Sequence, residues 1–314
     1  MDLTKESFDK RIACVIVTYN RKQLLKRCLD AVSSQTFKPS VVYITDNAST
    51  DGTIDSVKEW GYYECMKEGI QFKYILNSKN EGGAGGFYLG MKTAYEDNSY
   101  DGIWVMDDDG EPEKNCLHEL QKHIDKNDYI APFVIAEEDN NICAFIEEES
   151  VESFSGKAQN GIVYGIACPF NGILYSSRLV QKIGFPKREM FIWGDELNYH
   201  IRACKAGYTP ITVINAIHYH PKDRQKRIKG IFGSKVTVIE QRWKWYCFCR
   251  NLAYNKVAQY GHFLSLLYIF IQYFKYSIYL ISNNNFDFFL LMHRAFFHGY
   301  VGNFSRLDYF MSNR

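Results

Sequence analysis

Apolar residues in the first hundred positions alternate between continuous runs and helical spacing. The runs at 12–18 (IACVIVT) and 40–45 (SVVYIT) are rich in β-branched residues, which is typical of buried strands. The segment between them carries apolar residues at intervals of three and four, which predicts an amphipathic helix. Further strands are predicted at 72–77 and 102–107, and further helices at 53–67 and 85–97.

The order of these elements determines the predicted architecture. Strands separated by helices of this length form βαβ units, so we expect an α/β fold with a mostly parallel, Rossmann-like sheet and helices on both faces. The alternation loosens after residue 111. We therefore expect one α/β catalytic domain at 1–225, divided into halves at 1–110 and 111–225, and a helical C-terminal region at 226–314.

Four polar clusters lie at or just after the carboxyl ends of the predicted strands. Each cluster alone is compatible with ordinary turns and helix caps, because Asn, Asp, Gly, Ser and Thr are the common residues there. Ligands of open parallel sheets bind at the carboxyl ends of the strands, so four such clusters are expected to line one crevice. They are TYNR at 18–21, TDNASTDGT at 45–53, NEGGAGG at 80–86 and DDDG at 107–110.

The last cluster places three carboxylates in succession. Side chains alternate along an extended backbone, so Asp107 and Asp109 are expected on one side, where they can share a cation. Asp108 is expected to point away toward a neighbouring loop and to be expendable. Hard oxygen ligands of this kind suit Mg²⁺ or Mn²⁺ bridged to phosphate oxygens. Capping of a following helix is the alternative, but it explains only one of the three acids.

Composition narrows the class of protein. The 37 basic and 36 acidic residues nearly cancel, so nucleic acid binding driven by bulk charge is not expected. The nine cysteines are scattered and form no CxxC pair, which indicates reduced cytosolic thiols. The first residues lack the apolar core of a signal peptide, so we expect the soluble part on the cytoplasmic side.

The C-terminal region is more apolar than the rest. The stretch at 262–281 has the length of a bilayer crossing, but it contains Gln, Lys and many Tyr residues, and a second apolar stretch follows at 286–302. Helices lying at the membrane interface or packed on the catalytic domain are favoured over a spanning helix. The basic segment at 220–230 is either a solvated loop or a contact for anionic lipids. We expect a peripheral protein at the cytoplasmic face of the cell membrane. The sequence does not decide between a monomer and a homo-oligomer.

The motifs together resemble a known family. VIVTYNR, TDNASTDGT, NEGGAGGF, WVMDDDG, FIWGDELNYHIRACKAGY and AIHYHP, in this order, are similar to the inverting glycosyltransferases of family 2 with the GT-A fold. The later segment WKWYCFCRNLAY at 243–254 resembles the galactofuranosyltransferase and rhamnosyltransferase branch. The glycine-rich cluster matches neither the Rossmann nor the Walker pattern, which leaves close backbone approach to a nucleotide or sugar.

The resemblance implies a nucleotide-sugar site in the 1–110 half. Its base and ribose would lie against the first two clusters, and its ribose or donor sugar against the glycine-rich cluster. The implied nucleotide-sugar-binding residues are Thr18, Arg21, Asp46, Asn47, Asn80, Gly82, Gly83 and Asp108.

The resemblance also implies a metal site, with ligands from both halves, and an acceptor side in the 111–225 half. Asp107 and Asp109 would hold Mn²⁺ or Mg²⁺ on the donor diphosphate, with His220 as a third ligand and His218 as the alternative. Of the acid pair Asp195 and Glu196, one would be the general base; the spacing to Arg202 favours Glu196, whereas the family more often uses Asp. First-turn acids that only stabilise a helix dipole are the alternative. Trp193 is an acceptor-stacking candidate, and Trp243 and Trp245 are expected to be structural.

These inferences predict an inverting, metal-dependent glycosyltransferase. UDP-galactofuranose is the favoured donor and dTDP-rhamnose the second. The expected acceptor is a hydroxyl of a bacterial cell-surface polysaccharide or a lipid-linked glycan. A non-catalytic, membrane-bound nucleotide-sugar-binding protein is the alternative from another class.

Overall fold

The computed structural model describes residues 10–97, 100–146, 149–222, 225–230 and 233–306. Within these ranges the chain groups into two compact units. The first consists of the described residues of Met1–Asn80, Gly86–Phe185 and Ala206–Lys222. The second consists of those of Glu81–Gly85, Pro186–Lys205 and Asp223–Arg314. The domain limits predicted from the sequence stay a prediction.

An eleven-stranded sheet forms the centre of the first unit, with the path β3-β4-β2-β1-β5-β10-β7-β11-β6, β8 beside β7 and β9 beside β11. Neighbours among β4, β2, β1 and β5 are parallel, whereas most later pairs are antiparallel. The α/β class is thus confirmed, with a mixed second half. The strands are β1 (Ile12–Thr18), β2 (Val41–Asp46), β3 (Cys65–Lys67), β4 (Ile70–Leu76), β5 (Gly102–Asp107), β6 (Glu111–Pro112), β7 (Tyr129–Ala136), β8 (Asp139–Cys143), β9 (Ile162–Tyr164), β10 (Asn171–Ser176) and β11 (Ile211–His220).

Every residue of β1 and β2 is buried, which explains why these strands read as continuous apolar runs rather than as an alternation. Two glycines let a helix approach β1 closely. A Cβ at Gly86 or Gly90 would overlap Val17 or Val15, respectively. The helices are α1 (Lys22–Ser33), α2 (Thr53–Glu59), α3 (Gly82–Glu96, with Gly86 onward in the first unit), α4 (Cys116–Gln121), α5 (Val151–Ser155) and α6 (Ser177–Ile183).

The helix predicted at 53–67 is wrong in its second half. α2 ends at Glu59, and Cys65–Lys67 instead pairs antiparallel with β4. Gly61 (φ 71°) and Glu64 (φ 42°) take left-handed conformations that a right-handed helix cannot continue through. The apolar spacing alone does not reveal this turn.

The second unit is mainly helical. It contains a short 3₁₀ helix at Arg188–Met190, α7 (Asp195–Lys205), the hairpin of β12 (Arg227–Lys229) and β13 (Lys235–Thr237), α8 (Arg242–Ser282) and α9 (Phe286–Tyr300). α8 is interrupted at Gly261, whose φ of 76° and ψ of 170° are not helical. The predicted C-terminal helical region is confirmed. α8 and α9 pack through a core that includes Trp245, Tyr276, Leu280, Met292 and Phe296.

The part of α8 after Gly261 presents apolar side chains to solvent. Phe263 is 86% exposed and Phe270 is 63% exposed, and Leu267 and Phe274 are also exposed. These four positions are spaced by four, three and four residues, so they lie on one face of the helix. By length and composition, α8 is long and apolar enough to cross a membrane.

Candidate active site

The acid run lies at the end of β5, between β1 and β10 in the sheet. The strand ends at Asp107, and the next two acids form a turn closed by a hydrogen bond from Gly110 N to Asp107 O (3.4 Å). The predicted pleat, with Asp107 and Asp109 on one side of an extended strand, is therefore wrong. Gly110 and Pro112 follow the three carboxylates, and the chain turns at Asp108 and Asp109 instead of continuing as a strand.

Asp108 contacts the neighbouring first cluster, as predicted. It is buried and accepts hydrogen bonds from Thr18 Oγ1 (2.7 Å) and from Arg21 Nη1 (3.3 Å). A buried carboxylate with two donors is costly to remove. Asp108 thus joins the end of β1 to the acid run, and the expectation that it is expendable does not fit this geometry.

Two cationic groups meet Asp109. Arg21 Nη1 lies 3.0 Å from one carboxylate oxygen, and His220 Nε2 lies 3.1 Å from the other. Burial opposes ionisation of Asp109, but the hydrogen bond and charge of His220, together with Arg21, hold its pKa below the usual range. Burial likewise opposes a charge on His220, yet Asp109 raises the pKa of the imidazole. Arg21, predicted to bind the base or ribose, is in this structure a partner of the acids.

His220 and Asp109 have the chemistry and spacing of two adjacent metal ligands. His220 Nδ1 contacts Pro221 O at 2.7 Å and therefore carries a proton, so loss of the proton that Nε2 shares with Asp109 would leave Nε2 as a lone-pair donor for a metal. Adjacent ligands at about 2.1 Å from an octahedral cation are roughly 3.0 Å apart, close to the observed separation. Burial raises the pKa of Asp107, and Asp109 and Asp108 raise it further, which is the repulsion that a cation would relieve.

The full set of three predicted ligands is not assembled. No group of three His, Cys, Asp or Glu side chains placed to hold a metal ion lies among the residues that the structure describes. Asp109 and His220 are in contact, and Asp107 is close enough to feel both charges. The third ligand stays a prediction.

His218, the alternative ligand, lies in a different environment. It is fully buried against Gly110 and Gly172, where a Cβ at either glycine would overlap the ring. Within the described part of the chain, neither ring nitrogen has a hydrogen-bond partner. Burial, with a smaller contribution from the charge of His220, lowers the pKa of His218 to about 3, so the ring is neutral. His218 packs beneath the acid turn.

Hydrogen bonds connect the first two clusters at the sheet edge. Asn20 (φ 53°) donates from its backbone N to Ser49 Oγ (2.9 Å) and accepts from Thr50 N (2.7 Å). Asp46 accepts from Ser49 N at 2.8 Å and from the Tyr74 hydroxyl. No site role was predicted for Asn20, Ser49 or Tyr74, although Asn20 and Ser49 lie in the predicted clusters and an Asn in a turn after a strand is a signal for a left-handed residue.

Asn47 and the glycine-rich cluster meet within the first unit. Asn47 Oδ1 accepts from Asn77 Nδ2 (2.7 Å), and its own Nδ2 lies against Gly86, where a Cβ would approach to 2.8 Å. Thr18, Asp46 and Asn47 are thus all buried at the carboxyl ends of β1 and β2, whereas Asn80 is half-buried. The structure brings the first, second and acid clusters together, as predicted.

Gly82 has a structural role that the ligand interpretation did not anticipate. It lies at φ 71° in the second unit, and a Cβ there would overlap the backbone carbonyl of Phe191. Ala84 N donates to the same carbonyl at 3.1 Å. A Cβ at Gly83 would meet open space. Of the two glycines predicted to bind the nucleotide sugar, only Gly83 borders free volume, and Gly82 supports the backbone before α7.

The acid pair opens α7. Asp195 is buried, and Glu196 is half-buried, with both carboxylate oxygens accepting from Gly194 N at 3.1 and 3.0 Å. Trp193 lies just before the pair at φ 60°, and Lys244 Nζ is 5.6 Å from the centre of its ring. Glu196 therefore satisfies a backbone donor at the helix start, where the helix dipole also favours a negative charge.

Comparison with known proteins decides the family. A family model for glycosyl transferase family 2 matches residues 13–177, which is more than half of the chain. The chain belongs to glycosyltransferase family 2. The fold class is therefore GT-A, and the protein is a glycosyltransferase.

Two curated family 2 relatives are galactofuranosyltransferases. GlfT1 of Mycolicibacterium smegmatis is 30% identical over 237 residues, or 72% of this chain and 75% of that protein. GlfT1 of Mycobacterium tuberculosis is 31% identical over 220 residues, or 67% and 70%. The resemblance to the galactofuranosyltransferase branch is thus confirmed.

A solved structure supports the fold. Mannosyltransferase PcManGT from Pyrobaculum calidifontis, determined in complex with GDP-Man and Mn²⁺, superposes with a TM-score of 0.55. The match covers 95% of this chain and 88% of that chain at 12% identity. At this identity, the likeness shows that the two glycosyltransferases share a fold.

Proposed function

We propose that this family 2 glycosyltransferase transfers galactofuranose, with inversion, from UDP-galactofuranose to a hydroxyl of a bacterial cell-surface polysaccharide or lipid-linked glycan. The observation that carries the donor class is the similarity to two galactofuranosyltransferases over about two thirds of the chain or more. dTDP-rhamnose is the second candidate donor.

Asp109 and His220 would hold a divalent cation, Mn²⁺ or Mg²⁺, with Asp107 as the third ligand. When bound, such a cation neutralises the charge that develops on the departing diphosphate. Thr18 and Arg21 keep the acids in place, because Thr18 donates to Asp108 and Arg21 donates to both Asp108 and Asp109. Asp46 and Asn47, at the neighbouring strand end, would bind the base and ribose, and Asn80 and Gly83 the sugar.

The acid pair would supply the general base. A carboxylate oxygen of Glu196 takes the proton of the acceptor hydroxyl while the hydroxyl oxygen bonds to the anomeric carbon and the bond from that carbon to the diphosphate breaks. Glu196 is favoured by its spacing to Arg202, and it is the more exposed member of the pair. Trp193 would stack on the acceptor sugar.

A panel of nucleotide sugars tests the proposed donor. The purified protein is incubated with UDP-galactofuranose, UDP-galactopyranose or dTDP-rhamnose, with Mn²⁺ and a synthetic lipid-linked glycan, and the products are analysed by mass spectrometry. We expect transfer from UDP-galactofuranose at least tenfold faster than from the others, because the pyranose ring places its hydroxyls differently. Faster transfer from dTDP-rhamnose would select the second donor, and binding without turnover of any donor would favour the non-catalytic alternative.

We also propose that the second unit contacts the membrane peripherally. The exposed apolar face of α8 lies on the same unit as the basic β12–β13 hairpin, which carries Arg227, Lys229 and Lys235. Lys275 Nζ donates to Lys235 O at 3.0 Å and thereby fixes the hairpin against α8. Apolar side chains next to cationic ones are typical of contacts with an anionic lipid surface.

The variant Phe263→Glu/Phe270→Glu is expected to lose binding to anionic vesicles by at least tenfold. Each buried Phe contributes about 1.5–3 kcal/mol, and about 1.4 kcal/mol corresponds to a factor of ten. Co-sedimentation with phosphatidylglycerol vesicles measures the effect. Met66→Glu is the matched control, since it also removes an exposed apolar side chain, on β3 of the first unit. Unchanged vesicle binding, or a change of oligomeric state instead, would contradict the proposal.

A further inference from the structure

The backbone that leads into the acid pair is held in an unusual conformation. The acid-pair loop, defined here as residues 189–194, ends one residue before Asp195. Phe191 (φ 69°), Trp193 (φ 60°) and Gly194 (φ 92°) all take left-handed conformations. Side-chain-bearing residues rarely adopt this region, and such residues persist only where the surroundings enforce them. Something outside the loop must therefore hold it.

Every carbonyl of the acid-pair loop accepts a hydrogen bond from a group outside it. Ala84 N binds the carbonyl of Phe191, and side chains of α8 bind the other five. Arg250 Nη2 donates to the carbonyls of residues 189 (3.2 Å) and 190 (2.8 Å). Asn251 Nδ2 lies 2.9, 2.9 and 2.8 Å from those of residues 190, 192 and 193. Asn255 Nδ2 donates to that of residue 194 at 2.7 Å.

These three α8 side chains are buried, and one hydrogen bond between Arg250 and Asn251 orients two of them. Arg250 Nε donates to Asn251 Oδ1 at 3.0 Å, which directs the Asn251 amide nitrogen toward the loop. The guanidinium also stacks on Tyr246 and Phe304, with its carbon 5.4 and 4.6 Å from the ring centres. Buried polar groups used in this way are expensive to leave unsatisfied, so the set fixes one loop conformation.

The same set reaches α7 itself. Asn255 Oδ1 accepts from Asn198 Nδ2 (3.0 Å), and Asn198 Oδ1 accepts from Arg202 Nε (3.2 Å). Asn255 thus binds the residue before the acid pair with its amide nitrogen and a residue of the following turn with its amide oxygen. The start of α7 is held from both sides of Asp195 and Glu196.

We propose that Arg250, Asn251 and Asn255 are positioning residues, which set the place of the acid pair by holding the carbonyls of the acid-pair loop. This inference rests on the proposed catalytic role of the pair. Small displacements of a catalytic group are costly, since a shift of about 1 Å can lower a rate by about a hundredfold. Arg250 and Asn251 belong to the α8 segment on which the family resemblance partly rests. The resemblance assigns no role to them, and the proposal does.

Asn251→Asp tests the proposal most directly. The substitution keeps the shape of the side chain but turns a carboxylate toward three carbonyl oxygens. We expect kcat for sugar transfer to fall by about a hundredfold, while the KM for the donor changes less than about threefold. Hydrogen exchange of the amides between residues 189 and 196 should accelerate. Asn255→Asp is the second variant, because it keeps the oxygen that binds Asn198 and loses only the bond to the loop.

Asn283→Asp, at the exposed C-terminal end of α8, is the matched control and should behave like the wild type. Full transfer activity in both loop-facing variants overturns the positioning role, even if hydrogen exchange increases. Equal losses in kcat and in donor binding also overturn it, because they indicate general damage to the fold. A wild-type protein that transfers no sugar from any donor would instead overturn the proposed function, so the two failures are distinguishable.

Discussion

Glu196→Gln is expected to abolish sugar transfer while donor binding is retained. A general base contributes about 10²–10⁴-fold to a rate, and an amide cannot take a proton from the acceptor hydroxyl. Gln still offers a carbonyl oxygen to Gly194 N, so the hydrogen bond at the start of α7 can persist. The substitution therefore separates proton transfer from helix capping. Transfer rates measured with saturating donor, together with calorimetric titration of UDP, provide the two readouts.

The comparison with Asp195→Asn decides between the two acids. Asp195 is buried and Glu196 is half-buried, so Asp195 is expected to affect stability more and proton transfer less. Glu240→Gln is the matched control, because it removes an exposed carboxylate from the same unit. If Asp195→Asn abolishes transfer and Glu196→Gln does not, the base is Asp195. If both variants transfer at the wild-type rate, the pair serves only the helix terminus.

Asp109→Asn should remove metal-stimulated transfer. The substitution takes away one charge and the partner of His220 Nε2, so Mn²⁺ binding is expected to weaken by at least a hundredfold. Chelation of the wild type should abolish transfer, and added Mn²⁺ or Mg²⁺ should restore it. Binding of Mn²⁺ followed by electron paramagnetic resonance gives a readout that does not depend on activity.

Acidity should weaken the same metal binding. Burial and the neighbouring acids raise the pKa of Asp107, and Asp109 raises the pKa of His220, so both groups hold protons that a cation must displace. Affinity for Mn²⁺ is therefore expected to rise as these protons are lost with increasing pH. Asp139→Asn, an exposed acid of the first unit, is the control. Metal-independent transfer by the wild type, or unaltered Mn²⁺ binding by Asp109→Asn, would refute the assignment.

The sequence predicts the strands well where burial is complete. The apolar runs of β1 and β2 are unambiguous, because both faces of these strands are covered. The acid turn is not predictable in the same way, because repulsion among the acids and the Gly110 and Pro112 that follow oppose continuation of β5 without marking the residue at which it ends. Alternation along β11 predicts that the side chains of His218 and His220 point in the same direction. The structure distinguishes them, because the ring of His218 is buried against Gly110 and Gly172, whereas the ring of His220 reaches Asp109.

The support of the acid pair is the part that sequence reasoning could not reach. Arg250 and Asn251 were visible as a motif, but their partners are backbone carbonyls that have no residue-type signature. Gly82 illustrates the same limit. A glycine-rich segment before a helix indicates that backbone must approach something closely, without indicating whether that is a ligand or, as here, another loop.

The contact between Gly82 and Phe191 has a consequence for building chimeric enzymes from this family. A donor-exchange design would naturally transplant residues 1–110 from one relative into another. In such a chimera, Gly82 and the Phe191 carbonyl that excludes a larger residue at position 82 would come from different parents. The same is true of Ala84 N and its acceptor, which is also the Phe191 carbonyl. Residues 81–85 and the segment from 186 to 194 therefore form one exchangeable module, although they are far apart in the chain. A recombination library should inherit the two from the same parent.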